Sequence, residues 1–361
     1  MKKQHFLLSI FLYAVAVLYL VVTTPISPHE AKMFYTSHDL VATLMHWGHN
    51  VFPGFFGLRV FFILFGFLSI SLFYEYSRRY FDKREDAYLA TFIFMLLPGI
   101  ITGSTLANVA IVILPLVLLF VLLYEKEHFI LLPFIMLALF FIHEASIIFF
   151  IALLMYGIIY KDKKLSIVSA AFLIAFIYLA KGIEISGRPS GHFAEIFGLY
   201  AAVFSPLVFI YFFYTMYRIL LRGEKNLTWF ISFTALAFSL LLSVRQRVHL
   251  TDFAPYVTIA IVLMLDIYNH SLRVRIPQFQ NRYKLGFNIL MASLVMGIGF
   301  LLTHQILFYT MKKPKIYFAK HVYEPYLLAK ELKSKHIECY DVSNIRQRYQ
   351  LQYYNIAACT R

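Results

Sequence analysis

The chain has 361 residues, of which 60% are hydrophobic, 18% aromatic and only 14% charged, with a mean hydropathy of +0.70. A soluble domain is nearer half apolar and a quarter charged, so this composition excludes a soluble protein and a disordered chain alike. The net charge of +14 comes from 33 Lys+Arg against 19 Asp+Glu. In a membrane protein, basic residues gathered in cytoplasmic loops account for that excess, and no nucleic-acid partner is expected.

The apolar stretches are continuous rather than alternating, which fits helical spans and not a transmembrane barrel. In chain order they cover 6–23, 56–76, 87–101, 105–124, 129–142, 145–160, 165–180, 196–217, 227–243, 253–269 and 286–310. The expected fold class is therefore an all-α polytopic membrane protein with about eleven transmembrane helices. The basic start, Met1-Lys2-Lys3, precedes a long apolar run without a small-residue cleavage site, so it predicts a retained first helix. Pro98-Gly99 and Gly103 predict a turn within 87–124. The run 129–160 is read as a hairpin turning near His143-Glu144. That reading puts Arg78, Arg79, Lys83, Arg84, Arg273, Arg275, Arg282 and Lys284 on the inner side, as the positive-inside bias requires. The N-terminus is then cytoplasmic and the C-terminus outside. Such loops fit a bacterial inner membrane, and an endoplasmic reticulum membrane satisfies the same topology.

The membrane domain is expected over 1–311, with a long first outside loop at 24–55. Two further outside loops lie at 181–195 and 244–252. The remainder, 312–361, reads as a small extracytoplasmic α/β tail: strand 316–319, helix 323–335, strand 337–342 and an aromatic, basic end. Cys339 and Cys359 would both lie in an oxidising compartment. They are either bonded to each other or two free buried thiols.

The first outside loop carries the densest set of reactive groups. It runs His29-Glu30-Ala31-Lys32-Met33-Phe34-Tyr35, then His38-Asp39, then His46-Trp47-Gly48-His49-Asn50. Glu30 and Phe34 share a helix face, which could aim a carboxylate into a cavity. These imidazoles and carboxylates match no compact zinc spacing. His143-Glu144 is an ionisable pair near membrane depth, where such groups usually face a cavity or a partner. The third outside loop holds Arg245, Arg247 and His249. Arginines on the side that the charge bias depletes call for an anionic partner, and the planar guanidinium suits a lipid phosphate. Lys181, Arg188 and His192 in the second loop are weaker members of this set. No phosphate-binding glycine loop, dinucleotide fingerprint or Ser-His-Asp order is present. The activated group would then arrive with a substrate from within the membrane.

These features resemble the polyprenyl-phosphate-sugar-dependent integral membrane glycosyltransferases of the C-type fold (GT-C). The nearest branch is the protein O-mannosyltransferase and lipid A aminoarabinose transferase group. The resemblance rests on three segments: His29-Glu30-Ala31 with its aromatics, where that group has Asp-Glu-Ala; Leu58-Arg59-Val60 leading the second helix, with the Tyr-rich exit at 74–81; and Arg247-Val248-His249-Leu250 with Pro255 before a late helix. The resemblance spans 1–270.

It implies transfer of a sugar, with inversion, from a polyprenyl-phosphate donor to a glycan, lipid or protein acceptor on the outer side. Glu30 would be the general base, assisted by His29 or Asp39. Arg247, with Arg245, His249, Arg59 and Lys181, would bind the lipid phosphate. No cofactor is implied, the nearest branch being generally metal-independent; a divalent cation near Glu30 and Asp39 would instead resemble the oligosaccharyltransferase branch. A lipid-linked glycan polymerase or ligase is the alternative enzyme, although its long loop usually comes late in the chain. A lipid or glycan transporter is the non-enzyme alternative, although no internal repeat is visible here.

Overall fold

The computed structural model describes residues 1–179, 191–310 and 319–359. The expected sites Lys181 and Arg188, and most of the expected strand 316–319, lie outside the described residues. Among those described, the chain forms helices and one 3-10 turn. In order these are α1 (Lys3–Thr23), α2 (Pro28–Thr36), α3 (Leu40–Val51), α4 (Phe55–Tyr80), α5 (Arg84–Leu96), α6 (Pro98–Thr105) and α7 (Val109–Glu125). Then come α8 (Leu132–Ile142), α9 (Ser146–Ile159), α10 (Lys163–Tyr178), α11 (Phe193–Phe204), α12 (Pro206–Arg222) and α13 (Leu227–Arg245). The 3-10 turn Leu250–Asp252 leads into α14 (Ala254–Thr258), α15 (Ile261–Val274), α16 (Pro277–Thr310), α17 (Lys320–Ser334) and α18 (Ile345–Tyr353).

Among the described residues the expected apolar runs are mainly helical, because a chain without water must satisfy its backbone internally. Length separates the runs further. Among the described residues, five stretches are long and apolar enough to cross a bilayer: Lys3–Thr23, Phe55–Tyr80, Leu227–Arg245, Ala254–Val274 and Pro277–Ile306. Two bent pairs bring the total to as many as seven, α5 with α6 at 60° and α11 with α12 at 107°. The first bend falls at Pro98, as expected, whereas Gly103 lies inside α6 and the next break comes at 106–108. The residue before a proline is pushed out of the helical region, and Leu97 is extended at ψ 126°. The second bend, at Ser205-Pro206, interrupts what reads in sequence as one span. The 129–160 run breaks at His143, as expected: α8 ends at Ile142, α9 starts at Ser146, and His143 Nδ1 accepts from the Ala145 N–H at 3.0 Å.

The chain divides into two compact units, each assembled from distant stretches. Unit 1 comprises 1–11, 65–101 and 109–298. Its interior is aromatic: Phe150 stacks on Phe172 at 5.0 Å, and Phe73 on Phe94 at 4.0 Å. Buried hydroxyls there pair with one another, as Tyr76 does with Thr228 at 2.7 Å and Tyr256 with Ser146 at 3.1 Å. A low-dielectric interior makes an unpaired polar group expensive, so these pairs fix which helix faces meet.

Unit 2 comprises 12–64, 102–108 and 299–361. Its α3 and α4 approach backbone to backbone. A Cβ added to Gly57 would lie 1.6 Å from the Phe52 carbonyl oxygen, and one added to Gly48 would lie 2.1 Å from that of Gly57. Only glycine permits this approach, which sets the start of α4 and hence Arg59. Gly57→Ala should therefore cost about 1–3 kcal/mol as an overpacking defect. An unchanged midpoint in detergent thermal unfolding would show that the approach is not required.

The tail differs from expectation in that 337–342 forms no strand and the aromatic end is helical. Helix α17 covers the expected helix. The segment 337–342 pairs only through an isolated parallel bridge, Cys339 to Ala357, and the aromatic end forms α18. Cys339 and Cys359 are bonded to each other. Helix α18 lies against α2, and Gln350 donates to the Ile26 carbonyl at 2.8 Å and to that of His321 at 3.1 Å.

Candidate functional site

Unit 2 is organised around one ion pair. Ser27-Pro28-His29-Glu30 starts α2 with a capping box: the Ser27 hydroxyl accepts from the Glu30 N–H at 3.2 Å, and Glu30 Oε2 accepts from the Ser27 N–H at 2.9 Å. Arg59, in the first turns of α4, closes a fork on the same carboxylate, Nε to Oε1 and Nη2 to Oε2, both at 2.8 Å. The Ala107 N–H completes the set at 2.9 Å from Oε1.

The remaining Arg59 donors go to carbonyls at and beyond the end of α1: Val21 at 3.0 Å, Thr24 at 2.7 Å and Pro25 at 3.0 Å. Carbonyls at a helix C-terminus lack intrahelical partners and attract cations. All five Arg59 donors and all four acceptor positions of Glu30 are thus engaged. The side chains are 0% and 1% exposed. Burial pushes the Glu30 carboxyl up, but Arg59 and the Ala107 and Ser27 N–H groups outweigh it and hold it below its ordinary 4.5.

An aromatic and imidazole cluster lies beside this pair. The Tyr353 ring of α18 sits 6.1 Å from Phe34, 6.0 Å from Phe55 and 5.7 Å from His49. Burial pushes the Tyr353 hydroxyl up to about 12, with Arg59 lowering it and Glu30 raising it. Its Oη and the Nδ1 of His49 are buried without a hydrogen-bond partner among the described residues. The His46 ring lies tilted against Phe34, with centroids 4.1 Å apart. His29 is exposed on the first turn of α2, directly before Glu30. Asp39 is exposed and caps α3, its Oδ1 accepting from the Ala42 N–H at 2.9 Å. Among the described residues no group of three His, Cys, Asp or Glu could hold a metal ion.

The other expected residues lie together in unit 1. Arg245 ends α13, and Arg247 and His249 follow it, all exposed. Sequence reading missed the partner of Arg247. Its Nε and Nη2 each lie 3.3 Å from Glu195, which also accepts from His192 Nδ1 at 3.0 Å. Arg247 remains 75% exposed, so one face of its guanidinium is open to an anion. His143 lies 3.6 Å from Asp252, which joins the α8–α9 turn to this loop, while Glu144 is exposed. Arg245 and Arg247, the His143-Glu144 turn and the start of α11 therefore share one end of unit 1.

The fold is similar to that of ArnT over nearly the whole chain. The solved structures it matches include ArnT from Cupriavidus metallidurans in the apo state, at 13% identity and a TM-score of 0.55, covering 97% of this chain and 75% of that one. ArnT from the same organism bound to undecaprenyl phosphate matches at 11% identity and a TM-score of 0.57, covering 99% and 77%. No protein family and no curated protein matches the sequence. At these identities the likeness is one of fold.

Proposed function

We propose that the chain is a membrane glycosyltransferase that moves a sugar, with inversion, from a polyprenyl-phosphate donor to an acceptor on the outer side of the membrane. The observation that carries this reading is the fold shared over nearly the whole chain with a protein solved bound to undecaprenyl phosphate. The exposed Arg245, Arg247 and His249 support it, since they offer the charge that a departing lipid phosphate requires.

The bonding of Glu30 bears on the proton acceptor. A general base needs a lone pair facing its substrate, and every Glu30 position is engaged by protein donors. In this proposal Glu30 fixes the first turn of α2, and the exposed His29 beside it accepts the acceptor hydroxyl's proton. Asp39, capping α3, is the second choice.

The test is transfer of radiolabel from polyprenyl-phosphate sugars in membranes. The two roles are tested separately, since a different unit carries each. Arg247→Ala should lower transfer by about 10²-fold if it stabilises the phosphate. Glu195→Gln should leave transfer intact or raise it, because it frees Arg247. His29→Ala should lower transfer by about 10²–10⁴-fold. Absence of label with any polyprenyl-phosphate donor would overturn the enzyme assignment. Equal losses in Arg247→Ala and Glu195→Gln would reduce their pair to a structural contact.

A further inference from the structure

A cavity of about 970 Å³ opens in unit 1 where the ends of α4 and α12, the turn into α13 and the first three turns of α15 converge. None of the residues given roles above lines it. Its size is at the upper end for a small-molecule site. It lies at the end of unit 1 that carries the basic loop through Arg78 and Arg79, next to its wall residue Tyr80.

The wall presents Arg218, Arg222 and His270. Arg218 donates from Nη1 to Ser271 Oγ at 2.6 Å, which anchors one edge of its guanidinium and leaves Nε and Nη2 for another partner. Among the described residues neither Arg218 nor Arg222 has a carboxylate at ion-pair distance. Two acids share the wall. Asp266 accepts from Tyr80 at 3.4 Å, and Glu224 is exposed. The cavity therefore offers two arginine forks for a phosphate and two carboxylates for hydroxyl donors.

The surroundings indicate where such a ligand comes from. Helix α12 carries exposed Phe213, Leu220 and Leu221 beside the cavity, an outward face suited to acyl chains. Tyr214 and Tyr217 on the same helix are 46% and 54% exposed and line the cavity. Tyrosines with an apolar body and a polar tip are enriched at the headgroup level of a bilayer. A free phosphate would use the arginines alone. A phospholipid with a hydroxylated headgroup would use the arginines, the carboxylates and the apolar flank together.

We propose that this cavity binds the headgroup of an anionic phospholipid, with Arg218 and Arg222 on its phosphate and Asp266 and Glu224 on its hydroxyls. The planar guanidinium fork matches two phosphate oxygens at once, so charge alone does not replace it. This site is independent of the transfer reaction proposed above.

The experiment is native mass spectrometry of the full chain released from detergent, titrated with phosphatidylglycerol, phosphatidylcholine and, separately, inorganic phosphate. Phosphatidylglycerol should be retained in preference to phosphatidylcholine. Its affinity should fall roughly tenfold in Arg222→Gln and in Arg218→Lys, which keeps the charge but loses the fork. Arg78→Gln, which removes a cation already held by Glu75 outside the cavity, should leave it unchanged. The exposed Arg222 keeps the test open if Arg218→Lys does not fold. Unchanged affinity in both arginine variants, or equal retention of phosphatidylcholine, would overturn the site. Displacement of phosphatidylglycerol by millimolar inorganic phosphate would overturn the lipid as its ligand.

Discussion

Arg59→Leu is expected to cost about 3–5 kcal/mol, because it strands a buried carboxylate. Glu30 would lose two of its four donors while remaining sealed from water. The last carbonyls of α1 would lose the guanidinium that collects them. Glu30→Gln is expected to cost less, since the amide keeps the shape but turns an N–H donor against donors that already converge on that position. Removing both charges together, as Arg59→Leu with Glu30→Leu, should recover part of the loss. The signature of the pair is then a double variant more stable than Arg59→Leu alone. Additive losses in detergent unfolding would mean that the two residues act independently, against the fork described here.

The same pair sets a pH dependence. Glu30 titrates below its ordinary value in the folded chain, so its stabilisation is complete above about pH 4.5 and is lost as the pH falls through the depressed folded value. The wild-type melting temperature should accordingly drop more steeply in acid than that of the double variant, which has no carboxylate at this place.

The sequence made the membrane fold legible because hydropathy is a local property. Each apolar run could be read alone, and the Pro98 break followed from one residue. The break at Ser205-Pro206 carried the same proline signal, but the apolar residues on both sides concealed it. The role of Glu30 was half legible. Ser27-Pro28-His29-Glu30 is a capping-box pattern and shows that the carboxylate turns back on its own backbone. Its closure by Arg59 spans 29 residues and could not be read from spacing, and the same holds for Arg247 and Glu195, 52 residues apart. In the tail, the apolar-rich Ile337–Val342 reads as a strand. With only Ala357 across from Cys339, it has too little partner to form more than a bridge, since an isolated two-stranded pairing is marginal in water. Asn344, whose side chain accepts from the Arg346 N–H, was the overlooked cue to α18.

Opening the Cys339–Cys359 bond should destabilise the tail by about 3 kcal/mol, the figure for a closed loop of this order; the two residues are 20 apart. The tail's own core is small, centred on Ala329, Leu332, Leu351 and Ile356, and a core of that size rarely holds without a covalent staple. Hydrogen exchange should therefore quicken in α17 and α18 on reduction and in Cys339→Ser, while the buried helices of unit 1 keep their protection. Release of α18 also removes the Gln350 bond to Ile26, one residue before the capping box that orients His29 and Glu30. A reductant should accordingly lower sugar transfer as well as tail protection if the tail positions that loop. Exchange unchanged by reduction would show that the contact with α2 holds α18 without the disulfide. The bond also reports on sidedness. Alkylating intact cells before solubilisation should leave both cysteines unlabelled and bonded, and free thiols there would argue against the outward tail on which the transfer reading depends.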